Sequence, residues 1–233
     1  MSQRIAAQLM PVSTSAVRTR SAGCTRKNLS AQNELEEVSP PIWRRIQVPG
    51  DATLGWLHAA IQLAMGWTNS HLHQFICCDR IFSDPVFEMN EFEDDPPVLD
   101  EHKVRLRDVV PHPRSLFTYQ YDFGDSWEHI VKVEMICDRK PPRGNTAKCL
   151  DGARACPPED CGGAAGYGDL LETLADPEHE KYEDIRAWLG AHFNPEAFQI
   201  SETNKYLRKL SWPHTTLDAL AGIMMQRFGS PEL

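Results

Sequence analysis

Two histidines stand two residues apart in His71-Leu-His-Gln-Phe-Ile76, a run whose composition reads as a β-strand. Side chains two apart on a strand share a face, so both imidazoles would point together as half of a metal site. Further donors occur in Tyr121-Asp-Phe-Gly-Asp-Ser-Trp-Glu-His129. If that segment lies beside the histidine strand, His71, His73, Asp122 and His129 form the expected ligand set for zinc or another divalent metal. The competing expectation is that these side chains only cap backbone groups or bond one another.

Cys149, Cys156 and Cys161 form a second candidate set, spaced by six and four residues and therefore without the paired Cys-x2-Cys of a zinc ribbon. Cys137 or His129 would have to complete it, and free thiols in a tight loop are the alternative. The third candidate is Pro157-Pro158-Glu159-Asp160-Cys161-Gly162-Gly163, followed by Gly166-Tyr167. Prolines that fix φ and glycines that admit unusual dihedrals give this loop one course. It could hold Glu159 and Asp160, with Asp125, for general acid or base work, or use them to cap helix starts. Nucleophile elbows, Walker loops and dinucleotide fingerprints are absent from the sequence.

The elements that must position these residues follow from periodicity. Ile42, Ile46 and Val48 alternate with Arg45 and Gln47, as in a half-buried strand between Pro40-Pro41 and Pro49-Gly50. Leu54, Leu57, Ile61 and Met65 predict a helix capped by Asp51 or Thr53 and ended at Gly66. Leu116 to Phe123 and Trp127 to Ile136, joined by Gly124-Asp125-Ser126, predict an antiparallel hairpin. Glu88 to Glu101 holds seven carboxylates and no base, a solvated loop. Asp138 to Gly168 reads as one long Pro/Gly/Cys-rich loop. Helices are expected at 169–175, 178–189 and 202–210. A last amphipathic segment with Leu217, Leu220, Met224 and Phe228 could dock on the core or on a second copy, which makes a homo-oligomer an expectation. The fold class is therefore α+β, an antiparallel sheet with helices packed on it and a long Pro/Gly/Cys-rich loop.

Composition narrows the function classes. Residues 1–33 carry Arg4, Arg18, Arg20, Arg26 and Lys27 and no acid, a charge of +5; the other 19 basic residues face 33 acidic ones, a charge of -14. Such a body should repel a phosphate backbone, so nucleic acid is not the expected partner. No apolar run is long enough for a membrane span, and seven cysteines, with Cys77 adjacent to Cys78, fit a reducing compartment. The expectation is a soluble cytoplasmic protein. Its divisions would be a basic tail or over-extended start at 1–33, a domain at 34–210 and a helical extension at 211–233.

Taken in order, Pro40-Pro-Ile-Trp-Arg-Arg45, Leu57-His58, Met65-Gly-Trp67, His71-Leu-His-Gln-Phe75, the 121–129 segment, Ala155-Cys-Pro-Pro-Glu-Asp-Cys-Gly-Gly163 and Gly166-Tyr167 are similar to the signature of the plasmid pRiA4b ORF-3-like family. The resemblance runs from about Leu35 to Leu210. It implies a compact α+β domain of bacteria and archaea, often near mobile elements, with some members labelled transposon resolvases. It implies no settled reaction. Where the family has an alternating apolar strand before Pro-Pro-Ile-Trp, Asn28 to Val38 is polar, so that strand is expected to be missing or an exposed edge. Three functions follow as expectations: a binding or accessory module with a groove around Trp43, His73, Trp127 and Tyr167 for a small ligand or protein; a metal-dependent hydrolase; and a resolvase-like DNA-associated protein.

Overall fold

The computed structural model describes residues 28–87, 96–137, 146–190, 193–213 and 217–228. Helix α1 (Leu54–Met65) starts where Thr53 Oγ1 accepts the Trp56 N–H at 3.3 Å and ends at Gly66, whose φ of +122° favours glycine. The spacing predicts one apolar stripe, yet all twelve residues of α1 are buried. The helix contacts both strand β2 (Trp43–Pro49) and helix α5 (Ile200–Leu207), which leaves little of it for solvent. His58 and Gln62 consequently carry polar groups into the interior.

Among the described residues the sheet has eight strands. In chain order these are β1 (Asn28–Leu35), β2, β3 (His73–Cys77), β4 (Arg80–Ser83), β5 (Val98–Asp100), β6 (Leu116–Tyr121), β7 (Trp127–Cys137) and β8 (Lys148–Ala153). Their spatial order is β5-β4-β3-β6-β7-β1-β2-β8. The expected hairpin is β6–β7, and β6 also pairs with β3, His73 standing opposite Tyr121, so the turn segment does lie beside the histidine strand. All pairs are antiparallel except β4–β5, which makes the sheet mixed.

Three sequence readings change. Strand β1 is an interior strand, hydrogen-bonded to β2 and to β7, where the sequence suggested a lost or edge strand. It alternates after all: Leu29, Ala31, Asn33 and Leu35 are buried, and the polar member, Asn33, donates to His129 Nδ1 at 3.1 Å. The loop read over 138–168 contains strand β8, and its end is already helix α3 (Gly163–Ala175). Strands β4 and β5 were also missed, each being short. The remaining helices are α2 (Leu106–Val109), α4 (Tyr182–Leu189) and α6 (Leu217–Phe228). Helix α6 docks on its own chain through buried Ile223 and through Arg227, 5.2 Å over the Tyr206 ring. The side chains of Leu217, Leu220, Met224 and Phe228, residues 1–27, the acidic run 88–95 and residues 138–145 lie outside the described ones.

Arg44 ties these layers together. It is buried, and its guanidinium donates only to carbonyls: Nε to Ala64 at 2.9 Å, Nη1 to Trp43 at 2.9 Å and Ala153 at 2.8 Å, and Nη2 to Arg154 at 2.8 Å. The Phe198 ring lies 4.0 Å from the guanidinium carbon. Burial pulls its pKa down to about 10, still charged at neutral pH. At the sheet's edge, Asn204 of α5 bonds β8 twice, Oδ1 accepting the Cys149 N–H and Nδ2 donating to the Cys149 carbonyl, both at 2.8 Å. Among the described residues no helix is long and apolar enough to cross a membrane.

Candidate metal centre

Two loops build the site, one running from the end of α1 into β3, the other leading into α3. They are laced together. Trp67 Nε1 donates to the Pro157 carbonyl at 3.1 Å, and Thr68 donates through N (2.8 Å) and Oγ1 (2.9 Å) to Glu159 Oε1. Tyr121, at the end of β6, accepts the Ser70 N–H at 3.0 Å and donates to Glu159. Burial and the Glu159 carboxylate push this phenol's pKa far above its usual value, so it stays a donor.

The 122–126 turn supplies the next wall. Asp122 has φ +57°; its Oδ1 accepts the N–H groups of Gly124 (2.9 Å) and Asp125 (3.3 Å), which fixes the carboxylate and leaves Oδ2 free of the turn. Asp125 Oδ2 accepts the Gly162 N–H at 3.1 Å. Gly163 then passes so close that a Cβ there, at φ +66°, would stand 2.4 Å from the Asp125 carbonyl oxygen. Only glycine allows that approach.

Into this frame projects His71. Its Nε2 is shielded from solvent and has no hydrogen-bond partner. Three carboxylate oxygens surround it: Asp160 Oδ1 at 3.4 Å, Asp122 Oδ2 at 3.6 Å and Glu159 Oε2 at 3.7 Å. These spacings are long for a hydrogen bond. They match the separation of ligands on a common ion: donors about 2.0–2.2 Å from a tetrahedral metal stand roughly 3.3–3.6 Å apart. One donor atom each from His71, Asp122 and Asp160 lie mutually within 4.8 Å. Glu159, already accepting from Thr68 and Tyr121, is a neighbour of this set.

The four-residue set expected from sequence is not assembled. Strand β3 begins at His73, so His71 precedes the pleat and the two imidazoles do not share a face. His73 is buried elsewhere, its ring stacked on His58 at 3.4 Å between centroids and its Nε2 3.0 Å from Glu101 Oε2. His129 is in the core against Asn33 and Trp67. Asp160 and Glu159, offered by the sequence as acid or base, instead stand as carboxylates around His71; Asp125 holds the loop.

Nor do the four residues expected to line a groove meet at one surface. Trp127, Tyr167 and His73 are core residues, and Trp43 lies partly buried on the opposite sheet face with Arg45 5.2 Å over its ring. Cys149, Cys156 and Cys161 do not converge on an ion site among the described residues. Burial raises all three thiols, Cys161 to about 12. The side chain of Cys137 lies outside the described ones.

Sequence reading missed the polar network under the site. His58 Nε2 donates to Asn69 Oδ1 (2.6 Å), its Nδ1 accepts from Tyr119 (2.8 Å), Gln62 Nε2 donates to that hydroxyl (2.9 Å), and Gln62 Oε1 accepts the Asn69 N–H (3.1 Å). Each atom has one role, and the ring is neutral. Burial lowers His58, His73 and His129 to about 3 and raises Glu101 to about 7. Below pH 7 the Glu101–His73 pair thus shares one proton, held on the carboxyl. His58 and Gln62, on the face of a strongly apolar helix, were the available signal.

A mixed eight-stranded sheet with one helix buried against it, and a histidine–carboxylate cluster at two laced loops, defines an α+β domain of a particular kind. The chain belongs to the plasmid pRiA4b ORF-3-like protein family, whose model matches residues 28–202. It is 38% identical over 179 residues to the uncharacterized protein y4hQ of Sinorhizobium fredii (strain NBRC 101917 / NGR234), a match covering 76% of this chain and 89% of that one. It is also similar to the crystal structure of MM3350, a protein of unknown function from Methanosarcina mazei Go1, with TM-score 0.66 and 36% identity over 76% of this chain and 97% of the other.

Proposed function

We propose that this protein is a metal-dependent binding module: His71, Asp122 and Asp160 hold a divalent transition-metal ion, and a small ligand with oxygen donors completes its coordination. The observation that carries the reading is the shielded, unpartnered His71 Nε2 facing three carboxylate oxygens at ion-ligand spacing. An unpaired buried ring nitrogen costs about 1–3 kcal/mol, and a bound cation would remove that cost while neutralising the carboxylates. Three protein ligands leave a coordination position open.

The same openness supports a second reading, hydrolysis, because a metal at such a site lowers the pKa of bound water toward ~7. Glu159 Oε2 stands near enough to take its proton. An association with mobile elements would suit either reading. A resolvase-like role is disfavoured by the body's charge of -14 outside residues 1–33.

Chelator-stripped protein should bind one equivalent of zinc, manganese or iron(II). At a hundredfold excess over Kd the fold gains about 2.7 kcal/mol, which raises the melting midpoint by about 5–10 °C for a domain of this size. His71→Ala and Asp122→Asn should each abolish the shift, the latter keeping an oxygen for the turn. Asp84→Asn, in the separate Asp84, Glu101 and His102 cluster, should keep it. Midpoints indifferent to all three metals would end the reading.

A further inference from the structure

Strands β3 and β4 are joined by the two-residue turn Cys78-Asp79, both residues at positive φ (52° and 58°). Such turns favour Asn, Asp or Gly, which enter the left-handed region cheaply. Asp79 meets that preference and Cys78 does not, so a thiol occupies a position where it costs local strain. The strained residue brings two sulfurs together: Cys77 Sγ and Cys78 Sγ are 3.6 Å apart. Cys78 is exposed, and Cys77 is buried beneath it with its thiol directed at the Val109 carbonyl, 3.5 Å away.

Three chemistries suit neighbouring thiols, and the geometry separates them. A disulfide needs Cα atoms about 4.4–6.8 Å apart and sulfurs about 2.05 Å apart, whereas adjacent trans residues hold their Cα atoms at about 3.8 Å. Closure would therefore strain the backbone. Structural zinc takes four ligands, and among the described residues no further His, Cys or carboxylate joins these two sulfurs in an ion-sized cluster. A single thiophilic atom inserted between two protonated thiols meets neither obstacle, because it bridges the sulfurs near their present separation.

We propose that Cys77 and Cys78 are a chelating site for trivalent arsenic presented as an arsenoxide. The arsenoxide R–As=O condenses with both thiols: two As–S bonds form, the As=O bond and both S–H bonds break, and oxygen leaves as one water carrying both protons. Arsenic stays trivalent, so no oxidant or reductant takes part. The site is independent of the proposed metal centre and shares no residue with it.

Reduced full-length protein mixed with one equivalent of phenylarsine oxide tests this by intact-mass measurement. The expected adduct is one arsenoxide less one water, mapping to the peptide that holds Cys77 and Cys78, stable to excess monothiol and released by a dithiol. Cys78→Ser, at an exposed position, should fold with an unchanged melting midpoint and lose about 100-fold or more in apparent affinity, the gain that tethering a second thiol confers. Cys77→Ser provides the second arm and should lose as much. An adduct that monothiols strip, that maps to other cysteines, or that Cys78→Ser retains at full affinity overturns the proposal.

Discussion

Acidification tests the buried imidazoles directly. His58, His73 and His129 are buried and held neutral, with pKa values lowered from 6.5 to about 3 by burial. In the unfolded chain each titrates near 6.5, so between pH 6.5 and 3 the unfolded state binds three more protons. Stability is fully present above pH 6.5 and is lost as pH falls. At pH 5 each imidazole costs about 2 kcal/mol, and the three together cost about 6 kcal/mol. Glu101 acts in the opposite direction: its pKa is raised from 4.5 to about 7, so its contribution is present below pH 4.5 and lost as pH rises to 7. Going from pH 7 to pH 5 it returns about 3 kcal/mol, leaving a net loss of about 3 kcal/mol. Below pH 4.5 that offset is exhausted, and three protons give a slope of about 4 kcal/mol per pH unit. A domain with about 5 kcal/mol of stability should therefore unfold near pH 4.5, and one with about 10 kcal/mol only near pH 3. Urea unfolding followed by tryptophan fluorescence, with chelator present, at half-unit steps from pH 7.5 to 4 measures the slope. Glu101→Gln, whose amide can donate to His73 as the protonated carboxyl does, should cost less than about 1 kcal/mol at pH 7 and steepen the fall between pH 7 and 5. Stability that stays level from pH 7 to 4.5 would refute the assignment of three neutral rings.

Other outcomes follow from single residues. Arg44→Met strands the carbonyls of Trp43, Ala64, Ala153 and Arg154; at about 1–3 kcal/mol for each unsatisfied acceptor, chemical denaturation should show a loss of at least about 4 kcal/mol. A loss below about 1 kcal/mol would mean that water or neighbouring donors replace the guanidinium. Gly163→Ala drives a Cβ into the Asp125 carbonyl at positive φ, so it should cost about 2 kcal/mol or more and weaken metal binding at least about tenfold. Gly168→Ala, with nothing within 4 Å of the added carbon, should be neutral or slightly stabilising in the same titration.

Much of the frame was legible because hydrophobic periodicity and turn chemistry act locally. The stripe of α1, its Thr53 cap, the β6–β7 hairpin and its turn all follow from adjacent residues. Strand β1 was not legible, because the inward position that broke its pattern, Asn33, finds the acceptor for its amide nitrogen in His129, 96 residues away. Strand β8 resisted for a related reason: Lys148-Cys-Leu-Asp-Gly-Ala153 has no alternation and pairs with β2 across a register shift. The site was half legible. His71 and Asp122 were named for coordination and Asp160 for proton transfer; their meeting depends on where β3 begins and on how two distant loops cross. His73 and His129 failed as ligands because a buried, neutral imidazole already bonded to another side chain serves the core.

The paired bonds between Asn204 and Cys149 have a consequence for assembly. A side-chain amide there imitates the peptide group of an absent ninth strand, using up the donor and acceptor that an incoming chain would otherwise grip. Lateral growth is blocked at this margin by a helix, so the barrier lasts only while α5 stays seated. Heat or denaturant sufficient to lift α5, but not to melt the sheet, would uncover a sticky border, and aggregation should then begin from a protein still largely folded.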